Sequence, residues 1–330
     1  MTLPSTIGRR RLLAGLLAAP FASRPSLATA DDWQPSRPIR VLRGFAPGTM
    51  GDAVMHRLAE GMTERLGQPV VIESRPGAGG NIAMDALAKS APDGHTLGLT
   101  AMGPVVTNPI LMGGRMPYDA ERAFTPLFRI SEQPVVAMVH LSVPAAGRDF
   151  VDWLRRHPDT AYGSVGIGST HHLVGAMLSH ALGLSLRHVP YRGAPLALTD
   201  LLAGRILLSF DLIGGAAGAI RDGQVRAVAV TTERRSPLFP EVPTFAEIGL
   251  PQVAASSWLG LFAPAGLPPA VARRLTDALD AIVHEPAFAA WLAGLGATPV
   301  GGDAAEFAAF LAAERVRWAA VIRVAGIALD

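Results

Sequence analysis

Two stretches of the chain carry residue types and spacings suited to holding an anion. The first, Phe45-Ala46-Pro47-Gly48-Thr49-Met50-Gly51-Asp52, joins an apolar run, Ile39 to Leu42, to an amphipathic pattern beginning at Ala53. Gly48 and Gly51 let the main chain come close to a ligand, and the free N–H groups at the start of the next helix add partial positive charge. A carboxylate or phosphate is the expected guest, with Asp52 as the helix cap. The second stretch, Gly163-Ser164-Val165-Gly166-Ile167-Gly168-Ser169-Thr170-His171-His172, repeats this chemistry at another strand-to-helix junction. There Gly166 and Gly168 free the backbone, and Ser164, Ser169 and Thr170 offer hydroxyl donors. A third polar group, Asp211, ends the strand-like run Leu207 to Asp211.

Other chemistries lack their residues. Gly77-Ala78-Gly79 begins like a dinucleotide fingerprint, but Ile82 stands where the third glycine belongs. There is no Gly-x-Ser-x-Gly elbow, no His-Glu-x-x-His and no P-loop, so the common hydrolase, metalloprotease and nucleotide readings fall away. Asp211 or His172 as a general base is the enzymatic alternative, although an acid at a strand end more often orients a loop or a ligand. His171, His172 and His180 suggest a metal, but neighbouring helical residues point about 100° apart, and no metal or cofactor is expected. Lys89 is the only lysine and there is no cysteine, which removes lysine Schiff-base chemistry, disulfides and thiolate ligands.

The elements that must position these loops follow from periodicity. Val54, Leu58, Met62 and Leu66 form a helical stripe after the first loop. Val70 to Ile72 and Leu97 to Leu99 read as the next strands, with Arg75-Pro76-Gly77-Ala78-Gly79-Gly80-Asn81 as a second tight loop before a helix reaching about Ser90. Strands at Val135 to Val139, around Val189, at Leu207 to Asp211 and at Arg226 to Thr231 build a second α/β unit. Pro237, Pro240 and Pro243 mark a return to the first unit, where Ser257 to Phe262 is strand-like. Three helical segments finish the chain, the last from about Ala304 to Ala325 with Glu314, Arg315 and Arg317 on its outer face. Trp258 falls where it can report on a cleft or hinge. The expected fold is α/β, with a hinged cleft between two mainly parallel sheets. Domain 1 comprises residues 31–132 and 254–330, and domain 2 residues 133–253.

Residues 1–30 form an address. Arg9-Arg10-Arg11, the apolar run Leu12 to Ala22 and Ala28-Thr29-Ala30 are the parts of an export signal cleaved after Ala30, by a Sec or twin-arginine route, into the periplasm. The apolar run is far shorter than the ~20 residues that span a bilayer. The chain as written carries 29 basic and 27 acidic residues; without the leader's four arginines it carries 25 basic residues and a formal charge of −2. No basic stripe remains for nucleic acid.

Several spaced motifs together resemble the Bug receptors, the extracytoplasmic solute-binding proteins of tripartite tricarboxylate transporters. They are Phe45-x-Pro47-Gly48 with Asp52, Asn81 after its glycine loop, Ala91-Pro92-Asp93-Gly94, Pro117-Tyr118-Asp119, the Ser164-to-Leu173 loop, Val189-Pro190-Tyr191-Arg192-Gly193, Thr199-Asp200-Leu201-Leu202, Phe210-Asp211 and Ser257-Trp258. The resemblance covers essentially the whole chain after the leader. It implies a type II two-domain periplasmic-binding-protein fold, a monomer closing on a small organic carboxylate. The ligand would be passed to membrane transporter subunits, or the loaded receptor read by a membrane sensor. The family's binding residues fall on Phe45, Pro47, Gly48, Thr49, Met50, Gly51 and Asp52, and on Ser164, Gly166, Gly168, Ser169, Thr170 and His172, with Asp211 nearby. This chain departs at Thr49-Met50-Gly51, where the family pattern leads one to expect glycines followed by a hydroxyl. A carboxylate with some apolar body is therefore expected rather than a citrate-like one.

Overall fold

The computed structural model describes residues 33–45 and 47–327. The expected export signal and its expected cleavage site therefore lie outside the described residues, as does Ala46 of the first loop. Strand β1 (Ile39–Arg43) leads through that loop into α1 (Met50–Leu66), followed by β2 (Val70–Ser74), α2 (Asn81–Ala88) and β3 (Thr96–Thr100). A π-helical turn (Gly103–Thr107) runs into α3 (Asn108–Met112) and then the long β4 (Phe124–Val139). The second half holds α4 (Arg148–Arg156), β5 (Ala161–Ser164), α5 (Thr170–Leu182), β6 (Arg187–Pro190), α6 (Ala194–Leu202), β7 (Leu208–Leu212), α7 (Ile213–Arg221) and β8 (Arg226–Val230). The chain returns through β9 (Ser256–Pro264), α8 (Pro269–Val283), α9 (Pro286–Gly294), the short β10 (Thr298–Pro299) and α10 (Ala304–Val324). Among the described residues, no helix is long and apolar enough to cross a membrane.

Each half contains parallel strands joined by helices. In the first lobe β1 lies between β2 and β3, parallel to both; in the second, β5 lies between β6 and β7, again parallel to both. The strands that carry the chain between lobes run the other way: β9 pairs antiparallel with β3 and β4, and β4 antiparallel with β7 and β8. Strand β4 belongs to both lobes, since Phe124 to Pro134 faces β9 while Val135 to Val139 faces β7. The sequence pattern shows only Val135 to Val139 of this strand. Pro126, Arg129, Glu132 and Pro134 interrupt the apolar run ahead of it, and the register shifts between Pro126 and Phe128 and between Arg129 and Ser131. At the changeover the Thr231 amide donates to the Val135 carbonyl (3.0 Å), the Val135 amide donates to Thr231 Oγ1 (3.1 Å) and the Ala255 amide to the Thr231 carbonyl (3.0 Å).

Helix α1 buries Val54, Met55, Leu58, Ala59, Met62 and Leu66 as its stripe dictates, against a layer that includes Leu97, Leu275 and Leu279. It stops at Gly67, whose left-handed conformation (φ 70°) lets its amide reach the Thr63 carbonyl. A second apolar cluster runs from Met84 and Leu87 of α2 through Trp258 and Phe307 to Tyr162, Leu173 and Phe210 of the second lobe. Packing is thus continuous across the strands that join the lobes.

Glu314 differs from its sequence-based placement on the outer face of the last helix. It is buried, and its Oε2 accepts the indole N–H groups of Trp318 (2.9 Å) and Trp258 (3.2 Å). The helical pattern of α10 cannot reveal this, because one of the two donors sits 56 residues away on β9. Replacing Glu314 with Leu orphans two buried donors and is expected to cost about 3 kcal/mol in urea unfolding followed by tryptophan fluorescence. Glu314→Gln keeps an acceptor and should cost less than half of that; equal losses would show that the carboxylate does not anchor the indoles.

Candidate ligand-binding site

The first loop begins where β1 ends. Thr49, with extended backbone angles, caps α1, and its side chain accepts the Asp52 amide at 3.4 Å. Asp52 is therefore not the cap expected from sequence. Thr49 has the hydroxyl and the conformation for that position, which leaves Asp52 in the third helical place. From there Asp52 Oδ2 accepts the Gly48 amide at 2.8 Å, and Oδ1 lies 3.0 Å from Arg43 Nη1 and 3.2 Å from His56 Nε2. Gly48 makes the bend at φ 78°. Arg43 and Asp52 are both buried, so the loop is clamped over an ion pair whose arginine the motif search did not identify. Pro47 and Gly48 are exposed, whereas Phe45 and Met50 pack partly against the first lobe's core. The Phe45 ring covers Gly51, where an added Cβ would lie 3.3 Å from it.

The second loop follows β5. Ser169 caps α5, accepting the His172 amide at 3.2 Å and donating to the Gly166 carbonyl at 2.6 Å. Ser164 is fully buried; its Oγ accepts the Gly166 amide (3.1 Å) and lies 2.6 Å from His188 Nε2. The Gly168 amide donates to His172 Nδ1 at 3.2 Å. That bond defines His172 as a neutral imidazole, and burial together with His188, stacked at 3.9 Å, lowers its pKa to about 3. The His172 ring faces a cavity of about 490 Å³ walled by α5, β6 and residues 325–327, with no residue of the first loop in its lining. Thus Ser164, Gly166, Gly168 and His172 bond one another's segment, while no internal acceptor is found among the described residues for the first-turn amides of Thr170 and His171.

Residues of the first lobe touch the second loop and the glycine that precedes the first. Gly44 sits directly on Gly80, so an added Cβ would lie 2.5 Å from Gly80 Cα. Gly79 adjoins both Asn108 and the Ile167 carbonyl. Thr107 Oγ1 donates across the lobes to the Gly168 carbonyl at 2.5 Å, and a Cβ on Gly168 (φ 77°) would lie 2.2 Å from Asn108 Oδ1. Asn108 is held by its Nδ2 donating to Asn81 Oδ1 (2.8 Å), which also lies 3.1 Å from the Tyr118 hydroxyl. Thr107 and Asn108 lie outside both glycine loops and carry no local signature in the sequence; Asn81 was visible only as part of a motif. Asp211, at the carboxyl end of β7, is buried, accepts the Leu212 amide at 2.7 Å and lies 3.7 Å from His171 Nε2.

Two α/β lobes joined by shared strands define a fold of the periplasmic-binding-protein class. The chain matches the tripartite tricarboxylate transporter family receptor (TctC) over residues 54–327, and it belongs to that family of solute-binding proteins. Protein BugT of Bordetella pertussis is 33% identical over 303 residues, spanning 90% of this chain and 92% of that one. Among solved structures, R. palustris Rpa4515 with adipate superposes with a TM-score of 0.85 at 33% identity, covering 90% of this chain and 99% of that one. MatC from Rhodopseudomonas palustris with bound malate gives 0.81 at 30% identity, covering 87% and 99%.

Two expectations follow. Asp52→Asn leaves Arg43 buried without its countercharge, at a cost of about 3 kcal/mol in urea unfolding, most of which the double change Arg43→Met with Asp52→Leu should restore. Because the pKa of His172 is lower folded than unfolded, the stability it confers is complete above pH 6.5 and declines as pH falls toward 3. Its loss approaches ~1.4 kcal/mol per pH unit within that window, and unfolding of His172→Gln at pH 7, 5.5 and 4.5 should show a correspondingly shallower slope.

Proposed function

We propose that this chain captures a small carboxylate between its lobes, at the two loops 45–52 and 163–172, and presents it from the periplasm to membrane subunits of a tripartite tricarboxylate-type transporter. The observation that supports this reading is that Gly44, which leads into the first loop, packs on Gly80, while Gly79, Thr107 and Asn108 beside it meet Ile167 and Gly168 of the second loop. A carboxylate held by amides of both helix starts bridges the lobes, so binding energy and closure are one event. Each charge-assisted hydrogen bond contributes roughly 1.5–3 kcal/mol, enough for a few to reach micromolar affinity with no arginine touching the ligand. Adipate and malate in the two related structures support the ligand class. Met50 and the Phe45 ring over Gly51 favour a ligand with an apolar body over a tricarboxylate.

A thermal-shift panel of mono-, di- and tricarboxylates on the purified protein tests this. Ligand at a hundred times its Kd stabilises the fold by about 2.7 kcal/mol, which in a chain of this size raises Tm by roughly 5 °C. Gly168→Ala, which sets a methyl group against Asn108, is expected to abolish that shift. Tight tricarboxylate binding without monocarboxylate binding would reject the apolar-body reading, and no response to any carboxylate would reject the ligand class.

A further inference from the structure

His171 is the second residue of α5 and is 6% exposed, yet neither ring nitrogen has a hydrogen-bond partner among the described residues. An unsatisfied imidazole in that position is costly and calls for a group that completes it. Its Nε2 lies 3.7 Å from Asp211 at the carboxyl end of β7, where α7 begins two residues later, so the ring sits at the end of the parallel strands from which both α5 and α7 start. Ligands of parallel sheets sit outside this end of the strands.

We infer that His171, backed by Asp211, is a specificity-determining residue that takes a hydrogen-bond donor on the carbon beside the bound carboxylate, selecting 2-hydroxy or 2-amino acids. This rests on the carboxylate reading above and narrows it. Asp211 is an acceptor, so a neutral imidazole turns its N–H on Nε2 toward the carboxylate 3.7 Å away. Nδ1 is then left as an acceptor, which a hydroxyl or ammonium satisfies and a plain methylene does not. The ring hangs from the same residue whose amide stands free at the helix start, so the group it meets lies within a bond or two of the captured carboxylate. A second carboxylate there would confront both the Nδ1 lone pair and the charge of Asp211.

Isothermal titration of the purified protein with acids of three to six carbons, each as the plain acid, the 2-hydroxy acid, the 2-amino acid and the dicarboxylate, tests this. In the wild type the best 2-hydroxy or 2-amino acid should bind at least about tenfold more tightly than its plain counterpart. His171→Leu should bring the two within about twofold, the loss falling mainly on the 2-hydroxy or 2-amino acid, and His171→Gln, which keeps a donor and an acceptor, should retain part of the gap. The inference is overturned if the gap survives in His171→Leu, if the dicarboxylate binds best, or if His171→Leu weakens both acids alike and lowers the Tm, as a purely structural ring would. Carboxylate binding without this preference overturns the role of His171 alone, whereas no binding of any acid overturns the carboxylate reading with it.

Discussion

The contact between Gly168 and the Thr107–Asn108 pair is the constraint on which the arrangement of the lobes depends. The Thr107 hydroxyl donates to the Gly168 carbonyl, and Asn108 occupies the space that any side chain at 168 would claim. A residue with φ 77° that must also lack a Cβ has one solution among the amino acids. The demand is then transmitted inward. Asn108 keeps its place by bonding Asn81, which the Tyr118 hydroxyl also approaches, and the fixed end of the second loop lets α5 begin where it does. Burial in the same network raises the pKa of Tyr118, so its phenol remains a neutral hydroxyl.

Both loops spend much of their own hydrogen-bonding capacity on themselves. In the first, the carboxylate of Asp52 holds the Gly48 amide and the Arg43 guanidinium; in the second, Ser164 and His172 hold the amides of Gly166 and Gly168. Such internal bonds fix the backbone before a ligand arrives, so less ordering entropy opposes binding. What remains to face an anion is the start of each helix, where amides lack intrahelical acceptors by geometry rather than by choice of side chain. That division of labour fits an anion site in which no lysine or free arginine is required.

The parts of this design that repeat along the chain were legible in the sequence. Periodic apolar residues gave away α1 and α10, and glycine-and-hydroxyl clusters between strand and helix marked both loops. Ser169 caps its helix as its type suggests, whereas Asp52 does not, because Thr49 three residues earlier satisfies the same requirement and Asp52 has Arg43 to neutralise. Contacts made only in three dimensions were not legible. Glu314 looks like a surface acid until Trp258 arrives from a distant strand, and Thr107 ends a π-turn and Asn108 opens α3 with no pattern of their own. The first half of β4 was hidden by Pro126, which stands at a register shift, by Pro134 and by the polar residues between them.

The departure at Thr49-Met50-Gly51 has a local physical logic. A hydroxyl-bearing residue at position 51 would bring its Cβ to 3.3 Å from the Phe45 ring, tighter than comfortable packing, so the ring or the loop would have to give way. With glycine there, the ring packs beside the first turn of α1 and joins Met50 against the apolar layer of the first lobe. The aromatic cover from Phe45, itself part of the family-like motif, therefore packs most readily on a glycine at 51. The free amides of the helix start are unaffected by this choice, because they come from the main chain and not from the side chain at 51.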